Sequence, residues 1–365
     1  MEQDLQEKMV FIGGPRQVGK TTLAFQFLKN ATKGHPAYFN WDVLKDREQI
    51  RKVQFPPNEK LLVFDEIHKF KRWRGLIKGL FDEHFPNRNF LVTGSARLDY
   101  YRRGGDSLQG RYHYWRLHPF SLGELSPKAL PDLIQYGGFP EPFLKGERRF
   151  WRRWHRERIN RIVHEDLQDL EKVRELSLIE LLVDALPDRV GSLLSLNALA
   201  EDLEVSPRTV DRWILILEQL YYCFRIAPYG SPRIRATKKN KKLFLWDWAA
   251  IPDEGERFEN MVACHLLKYC HFLEDHEGHK MELRFLRDTD GREVDFVVLK
   301  DRKPLFAIEC KTKEKQRSKA IRYFKARTNI PKFYQVHLGE REYGDPEHEG
   351  KVIPFTKLVA ELGLP

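Results

Sequence analysis

The segment Gly14-Pro15-Arg16-Gln17-Val18-Gly19-Lys20-Thr21 constrains this chain more than any other. It follows the apolar run Val10-Phe11-Ile12 and precedes a helical stretch that begins near Lys20. Glycines at both ends let the backbone curl, so that its N–H groups converge on phosphate oxygens at a helix N-terminus. Lysine then reaches the β- and γ-phosphates, and the Thr21 hydroxyl is placed to ligate Mg²⁺. Residues Gly14 to Thr22 are therefore the expected ATP contacts.

Further signals agree. Leu61-Leu62-Val63-Phe64 ends in Asp65-Glu66, the pattern of a buried strand that delivers two carboxylates to a site. Asp65 is expected beside Mg²⁺, and Glu66 is expected to orient and deprotonate an attacking water. A third strand, Phe90-Leu91-Val92-Thr93, leads into Gly94-Ser95-Ala96-Arg97. Ser95 would sense the γ-phosphate or hold the water; the alternative is a helix cap. Arg97 and Arg111 are the candidates for positive charge on the γ-phosphate in the transition state, with Arg111 preferred. The sequence leaves open whether Arg111 serves its own subunit or a neighbour's in a homo-oligomer, and a plain surface role is the alternative.

These strands, with Tyr38-Phe39-Asn40, alternate with helical stretches as in a parallel α/β sheet. The expected division is 1–144 for this core, 145–250 for a helical region and 251–365 for a second α/β region. In the helical region, Trp151, Trp154, Ile159 and Ile162 form an apolar stripe, and arginines including Arg148, Arg152 and Arg158 are expected on the other face. Further on, Leu196 to Val205 reads as a helix, and Ser206 caps a second one with Pro207 at its first position. Val210, Trp213, Ile214 and Leu217 form its buried stripe, leaving Arg208, Thr209 and Arg212 outside. A basic stretch follows with Arg225, Arg233, Arg235, Lys238, Lys239, Lys241 and Lys242. The pattern is that of a winged helix-turn-helix whose second helix enters a DNA groove and whose wing contacts phosphates. A module used only for protein packing has the same pattern.

The third region carries Asp295, then Glu309-Cys310-Lys311 after a turn at Arg302-Lys303-Pro304. Alternation puts Glu309 and Lys311 on one face of a strand, with Asp295 on the neighbouring one. This spacing suits a PD-(D/E)xK nuclease core. Asp295, Glu309 and Glu259 would hold Mg²⁺, and Lys311 would position a water for phosphodiester attack. Such a fold also persists as a binding scaffold without cleavage.

Composition sets the frame. The net charge of +10 over 365 residues favours a polyanionic partner such as DNA. The four cysteines form no C-x-x-C pair, which argues against a zinc site and for a reducing compartment. No apolar run is long enough to span a bilayer, and the first residues are polar and acidic. The expected location is the cytoplasm.

Taken as a set, the motifs resemble the AAA-type ATPases of archaea and bacteria that carry a C-terminal domain of unknown function. The matching segments are Gly14 to Leu23, Phe64 to His68, Val92 to Ala96, Gly110-Arg111, Pro119 to Leu125 and Gly137 to Glu141, with Arg257 to Val262 and the Asp295…Glu309-x-Lys311 hairpin. The resemblance implies an AAA+ or STAND-like core, a winged helix and a restriction-endonuclease-like end domain. The expected function is an ATPase that couples nucleotide state to the other domains in DNA processing or defence. Competing expectations are an ATP-gated Mg²⁺-dependent nuclease, and a nucleotide switch that binds a protein partner without touching DNA.

Overall fold

The structure is a computed structural model that describes residues 1–365 except 30, 95–97, 99–107, 168–174 and 231–239. The chain divides into two compact units, Met1–His118 and Pro119–Pro365. This corrects the expected division at 144/145: the last strand of the first sheet ends at Arg116, and the helices after Pro119 pack within the second unit.

In the first unit, β1 (Met9–Gly13), β2 (Tyr38–Asn40), β3 (Leu61–Asp65), β4 (Asn89–Thr93) and β5 (Tyr112–Arg116) form one sheet in the order β2-β3-β4-β1-β5. Every pairing is parallel. Parallel strands covered on both faces read as continuous apolar runs rather than alternation. All five residues of β1 are buried, and so are the last four of β3 and of β4. The described helices are α1 (Glu2–Glu7), α2 (Lys20–Phe27), α3 (Leu44–Arg51) and α4 (Trp73–His84). The order places β4 between β1 and β3, so the C-terminal tips of these three strands stand side by side.

The second unit opens with α5 (Leu130–Tyr136), α6 (Pro140–Lys145), α7 (Arg148–Arg161) and α8 (Leu176–Ala185). Trp151 and Trp154 of α7 are buried as the stripe requires, but Arg158 is buried with them. Its guanidinium donates to Tyr221 O at 3.1 Å and lies 4.3 Å from the centre of the Phe139 ring. The expectation of an outward Arg158 is corrected: position 158 falls on the stripe one turn beyond Trp154, and a carbonyl plus aromatic faces take the charge.

Next come α9 (Leu196–Asp202) and α10 (Pro207–Gln219). Ser195 caps the first through Ala198 N and Ser206 caps the second through Thr209 N. Val210, Trp213, Ile214, Ile216 and Leu217 are the buried face of α10. The antiparallel pair β6 (Cys223–Pro228) and β7 (Lys242–Leu245) follows. After α11 (Glu254–Glu277) come β8 (Met281–Arg287), β9 (Glu293–Lys300), β10 (Lys303–Cys310), α12 (Lys319–Lys325), β11 (Lys332–His337), β12 (Lys351–Pro354) and α13 (Phe355–Leu362). Their sheet runs β12-β11-β10-β9-β8-β6-β7. Ala227 of β6 pairs in parallel with Arg284 of β8. Strands from both sides of the expected break at 250/251 therefore share one sheet.

One buried histidine links the start and the middle of this unit. His265 on α11 accepts from Leu122 N at 2.9 Å through Nε2 and donates to Met261 O at 2.7 Å through Nδ1. Acceptance at Nε2 requires the neutral ring. Burial pushes its pKa down from 6.5 to about 4. The unfolded chain therefore takes up a proton below pH 6.5 that the folded chain refuses until about pH 4. Stability from this group is complete above pH 6.5 and falls by on the order of 3 kcal/mol as pH drops to 4. Chemical denaturation of wild type and His265→Gln across this range should show a steeper loss for wild type; parallel curves would refute the linkage.

Candidate functional site

The loop after β1 folds back over the first turn of α2. Gly14 has φ +144°, and a Cβ there would sit 2.2 Å from Leu117 O, inside van der Waals contact. Gly19 caps α2 with φ +98° and has open space around it. Lys20 is buried, and its Nζ donates to Gly14 O at 3.0 Å and Pro15 O at 2.6 Å. The ammonium thus lies inside the curl formed by its own loop. Pro15 and Val18 are buried, Arg16 and Thr21 are partly buried, and Gln17 and Thr22 face out.

Asp65, at the tip of β3, gathers the surrounding elements. Its Oδ2 accepts from Thr21 Oγ1 at 2.9 Å and from Tyr38 Oη at 2.6 Å, and its Oδ1 accepts from Thr93 Oγ1. Four elements (α2, β2, β3 and β4) therefore meet at one carboxylate. Burial, together with the Asp65 charge, raises the Tyr38 phenol far above its usual range, so it stays a donor. Tyr38 and Thr93 were not singled out from the sequence. The signal was present: both stand on strands that neighbour β3, in register with its last residues.

Glu66 follows with φ +56°, a left-handed conformation that non-glycine residues adopt at a cost. Its Oε2 lies 3.6 Å from His68 Nε2 and 3.7 Å from Lys69 Nζ. Burial, and then the Asp65 charge, raise its pKa, against the opposing pull of Lys20, Lys69 and Arg16. A carboxylate with a raised pKa is suited to accept a proton.

Ser95 and Arg97 lie outside the described residues. Arg111 is placed elsewhere: it precedes β5, and its carbonyl accepts from Met9 N at the start of β1. Its side chain pairs with Asp82 at 2.7 Å. Strands β1 and β5 are parallel, so Arg111 stands at the opposite end of the sheet from the Gly14–Thr21 loop. Of the two options that the sequence left open, that register sets Arg111 away from the site of its own chain.

In the second unit, Glu309 and Lys311 do share a face, with Lys311 Nζ 2.6 Å from Glu309 Oε1. Asp295 accepts from Cys310 N at 2.7 Å across the β9–β10 pairing. Lys242 also enters this cluster. Its Nζ lies 3.0 Å from Glu259 Oε1 and 3.7 Å from Asp295 Oδ1, and it pairs with Glu293. Among the described residues, no group of three or more His, Cys, Asp or Glu is arranged to hold a metal ion. The expectation that Glu259, Asp295 and Glu309 form a metal cage is corrected: Glu259 and Asp295 hold an ammonium between them.

The expected DNA contacts divide into three groups. Arg208 and Arg212 are exposed on α10 and Thr209 is partly buried. Arg233, Arg235, Lys238 and Lys239 lie outside the described residues. Arg225 and Lys242, expected on a phosphate-contacting wing, are turned inward. Arg225 pairs with Asp211 and with Glu218 at 2.9 Å.

Comparison with known proteins agrees with the N-terminal geometry. Residues 6–126 match the family described as AAA domain; residues 127–251 and 254–358 match two families described as domains of unknown function (DUF8612 and DUF4143). The first unit thus matches the AAA domain family over nearly its whole length. An uncharacterised protein of Methanocaldococcus jannaschii, MJ1544, is 22% identical over 96% of this chain and 88% of its own length. An uncharacterised protein of Mycobacterium tuberculosis, Rv2008c, is 23% identical over 66% of this chain, which spans 54% of that protein. Among solved structures, the Thermotoga maritima RuvB Holliday junction branch migration motor aligns with TM-score 0.30 and 17% identity over 61% of this chain and 85% of that one. The Aeropyrum pernix Orc1 protein in complex with DNA aligns with TM-score 0.34 and 12% identity over 72% of this chain and 92% of that one.

The Gly14 geometry gives a direct test. Gly14→Ala would force a Cβ against Leu117 O at a backbone conformation alanine avoids. The expected cost is about 1–3 kcal/mol in the first unit, with loss of ATP binding by calorimetry. Wild-type affinity in the variant would show that the loop adopts another conformation.

Proposed function

We propose that the first unit binds ATP with Mg²⁺ and hydrolyses it, and that the protein works on or beside DNA. The observation that carries the first part is the Thr21–Asp65 hydrogen bond, which brings a hydroxyl from the phosphate loop and a strand-tip carboxylate to one point. This donor pair fits a magnesium ion, which keeps most of its oxygen shell from water and phosphate and needs few protein ligands. A bound Mg²⁺ would neutralise charge on the β- and γ-phosphates. Lys20 would leave its loop carbonyls for the phosphate oxygens. Glu66 would take the proton of the attacking water, and Ser95 would hold that water in place. Arg111, at the far end of its own sheet, is left the role of completing a neighbour's site in a homo-oligomer.

The DNA part is supported by the net charge of +10 and by two exposed arginines on a capped helix that follows a tight turn. A winged-helix reading of α9, α10, β6 and β7 gives those arginines their role. A second reading, a nucleotide switch that binds a protein partner, is favoured by the inward pairing of Arg225 and Lys242, which removes two charges from the wing.

Two measurements test these readings. Lys20→Ala should abolish ATP binding, whereas Glu66→Gln should bind ATP and hydrolyse it at least about 10²-fold more slowly. Hydrolysis by Glu66→Gln at the wild-type rate would remove Glu66 from its role. Duplex binding should weaken with salt, and replacing Arg208 and Arg212 by alanine should lower the slope of log K against log salt by about 2. No binding at low salt would favour the protein-partner reading.

A further inference from the structure

Of the seven arginines on α7, three are held by the chain itself. Arg148 donates to Gln135 O at 2.9 Å and lies 4.0 Å from the centre of the Trp151 ring. Arg158 is buried against Tyr221 O and Phe139, and Arg161 lies 3.8 Å from Glu165. The other four, Arg149, Arg152, Arg153 and Arg156, are exposed. Among the described residues, none forms a hydrogen bond or ion pair with their side chains.

Their spacing of i, i+3, i+4 and i+7 puts them in one stripe along the helix. The opposite face carries the buried Trp151, Trp154 and Arg158. Those side chains fix the rotation of the helix about its axis, so packing sets the direction of the stripe. The remaining exposed residues of α7 are Glu157 and Asn160. Asn160 continues the stripe, and Glu157 stands about a quarter turn off its centre. Like charges three or four residues apart repel. The stripe contains four such pairs: Arg149 with Arg152 and Arg153, and Arg156 with Arg152 and Arg153. Repulsion without an internal counter-charge is relieved by an external anion.

We propose that this stripe lies along the phosphate backbone of duplex DNA. The inference rests on the DNA part of the function proposed above and adds a surface on α7 to the one on α10. Two observations favour phosphates over a protein partner. No exposed residue of α7 is a large hydrophobic, whereas protein interfaces have an apolar or aromatic centre. The four charges also follow a line. From Arg149 to Arg156 the helix rises about 10 Å, the axial length of about three consecutive phosphates of one strand. All four are arginine, whose planar fork bonds two phosphate oxygens at once. Contacts of this kind hold a duplex in place without reading its sequence.

The probe is a short fluorescent duplex in two unrelated sequences, titrated with the full chain at several salt concentrations and read by anisotropy. Replacing the four arginines together by alanine should reduce the slope of log K against log salt by about 3 to 4. It should also weaken binding at low salt at least about tenfold, equally for both sequences. Replacing all four by lysine keeps the charge and should restore most of the slope. ATP binding should stay at the wild-type level and the melting temperature should not fall, since the chain holds none of the four. If the alanine variant does not fold, the pairs Arg149→Ala/Arg153→Ala and Arg152→Ala/Arg156→Ala should each reduce the slope by about 2. A wild-type slope in the folded alanine variants, or an alanine-like slope in the lysine variant, would overturn this surface. The DNA reading would then stand without α7 if Arg208→Ala/Arg212→Ala still reduced the slope. A wild type that binds neither duplex at low salt would overturn both. Polyglutamate held through the four arginines as tightly as the duplex would replace DNA by an acidic protein partner and overturn the proposal.

Discussion

The Asp65 carboxylate is the point on which the first unit depends. It accepts hydrogen bonds from Thr21, Tyr38 and Thr93, which arrive from a helix and two different strands. A carboxylate held by three donors is fixed in position, and each donor is fixed in turn. The strand order makes this convergence possible: β4 lies between β1 and β3, so the tips that end at Gly13, Thr93 and Asp65 are adjacent. The phosphate loop and the two carboxylates therefore occupy one edge of the sheet, as open parallel α/β sheets place their ligands.

The second unit shows the same physics turned to another end. Its polar interior is also a gathering of charged side chains, but the opposing charges come from the chain itself. Arg158 finds a carbonyl and aromatic rings, Arg225 finds Asp211 and Glu218, and Lys242 finds three carboxylates. Buried pairs of this kind contribute little net stability, because desolvation offsets attraction. They do fix which strands and helices can lie together. Moving β7 away from its position would leave Glu259, Glu293 and Asp295 without their shared cation.

Much of this was legible in the residues. Buried parallel strands advertise themselves as apolar runs, and the strands anticipated in the first unit formed close to their expected bounds. Ser206-Pro207 marked a helix start because capping is decided by neighbouring residues. The loop from Gly14 to Thr21 was readable for a similar reason: glycine conformation and helix start are local properties. Arg158, Arg225 and Lys242 were not read correctly, because a charged side chain looks the same in a sequence whether it faces water or a buried partner. The end of the sheet that Arg111 occupies was not readable, because a motif carries no information on it.

The sequence by itself determined the local chemistry: a phosphate-cradling turn, a strand tipped with two carboxylates, capped helices and an acidic hairpin ending in Glu-x-Lys. Only the tertiary structure decided which distant groups meet. It joined Tyr38 and Thr93 to Asp65, sent Arg111 to the far end of its sheet and brought Lys242 into the carboxylate cluster. The reason is that strand order and register are set by packing over the whole unit, and a side chain's charge acquires its role from the neighbours that packing supplies.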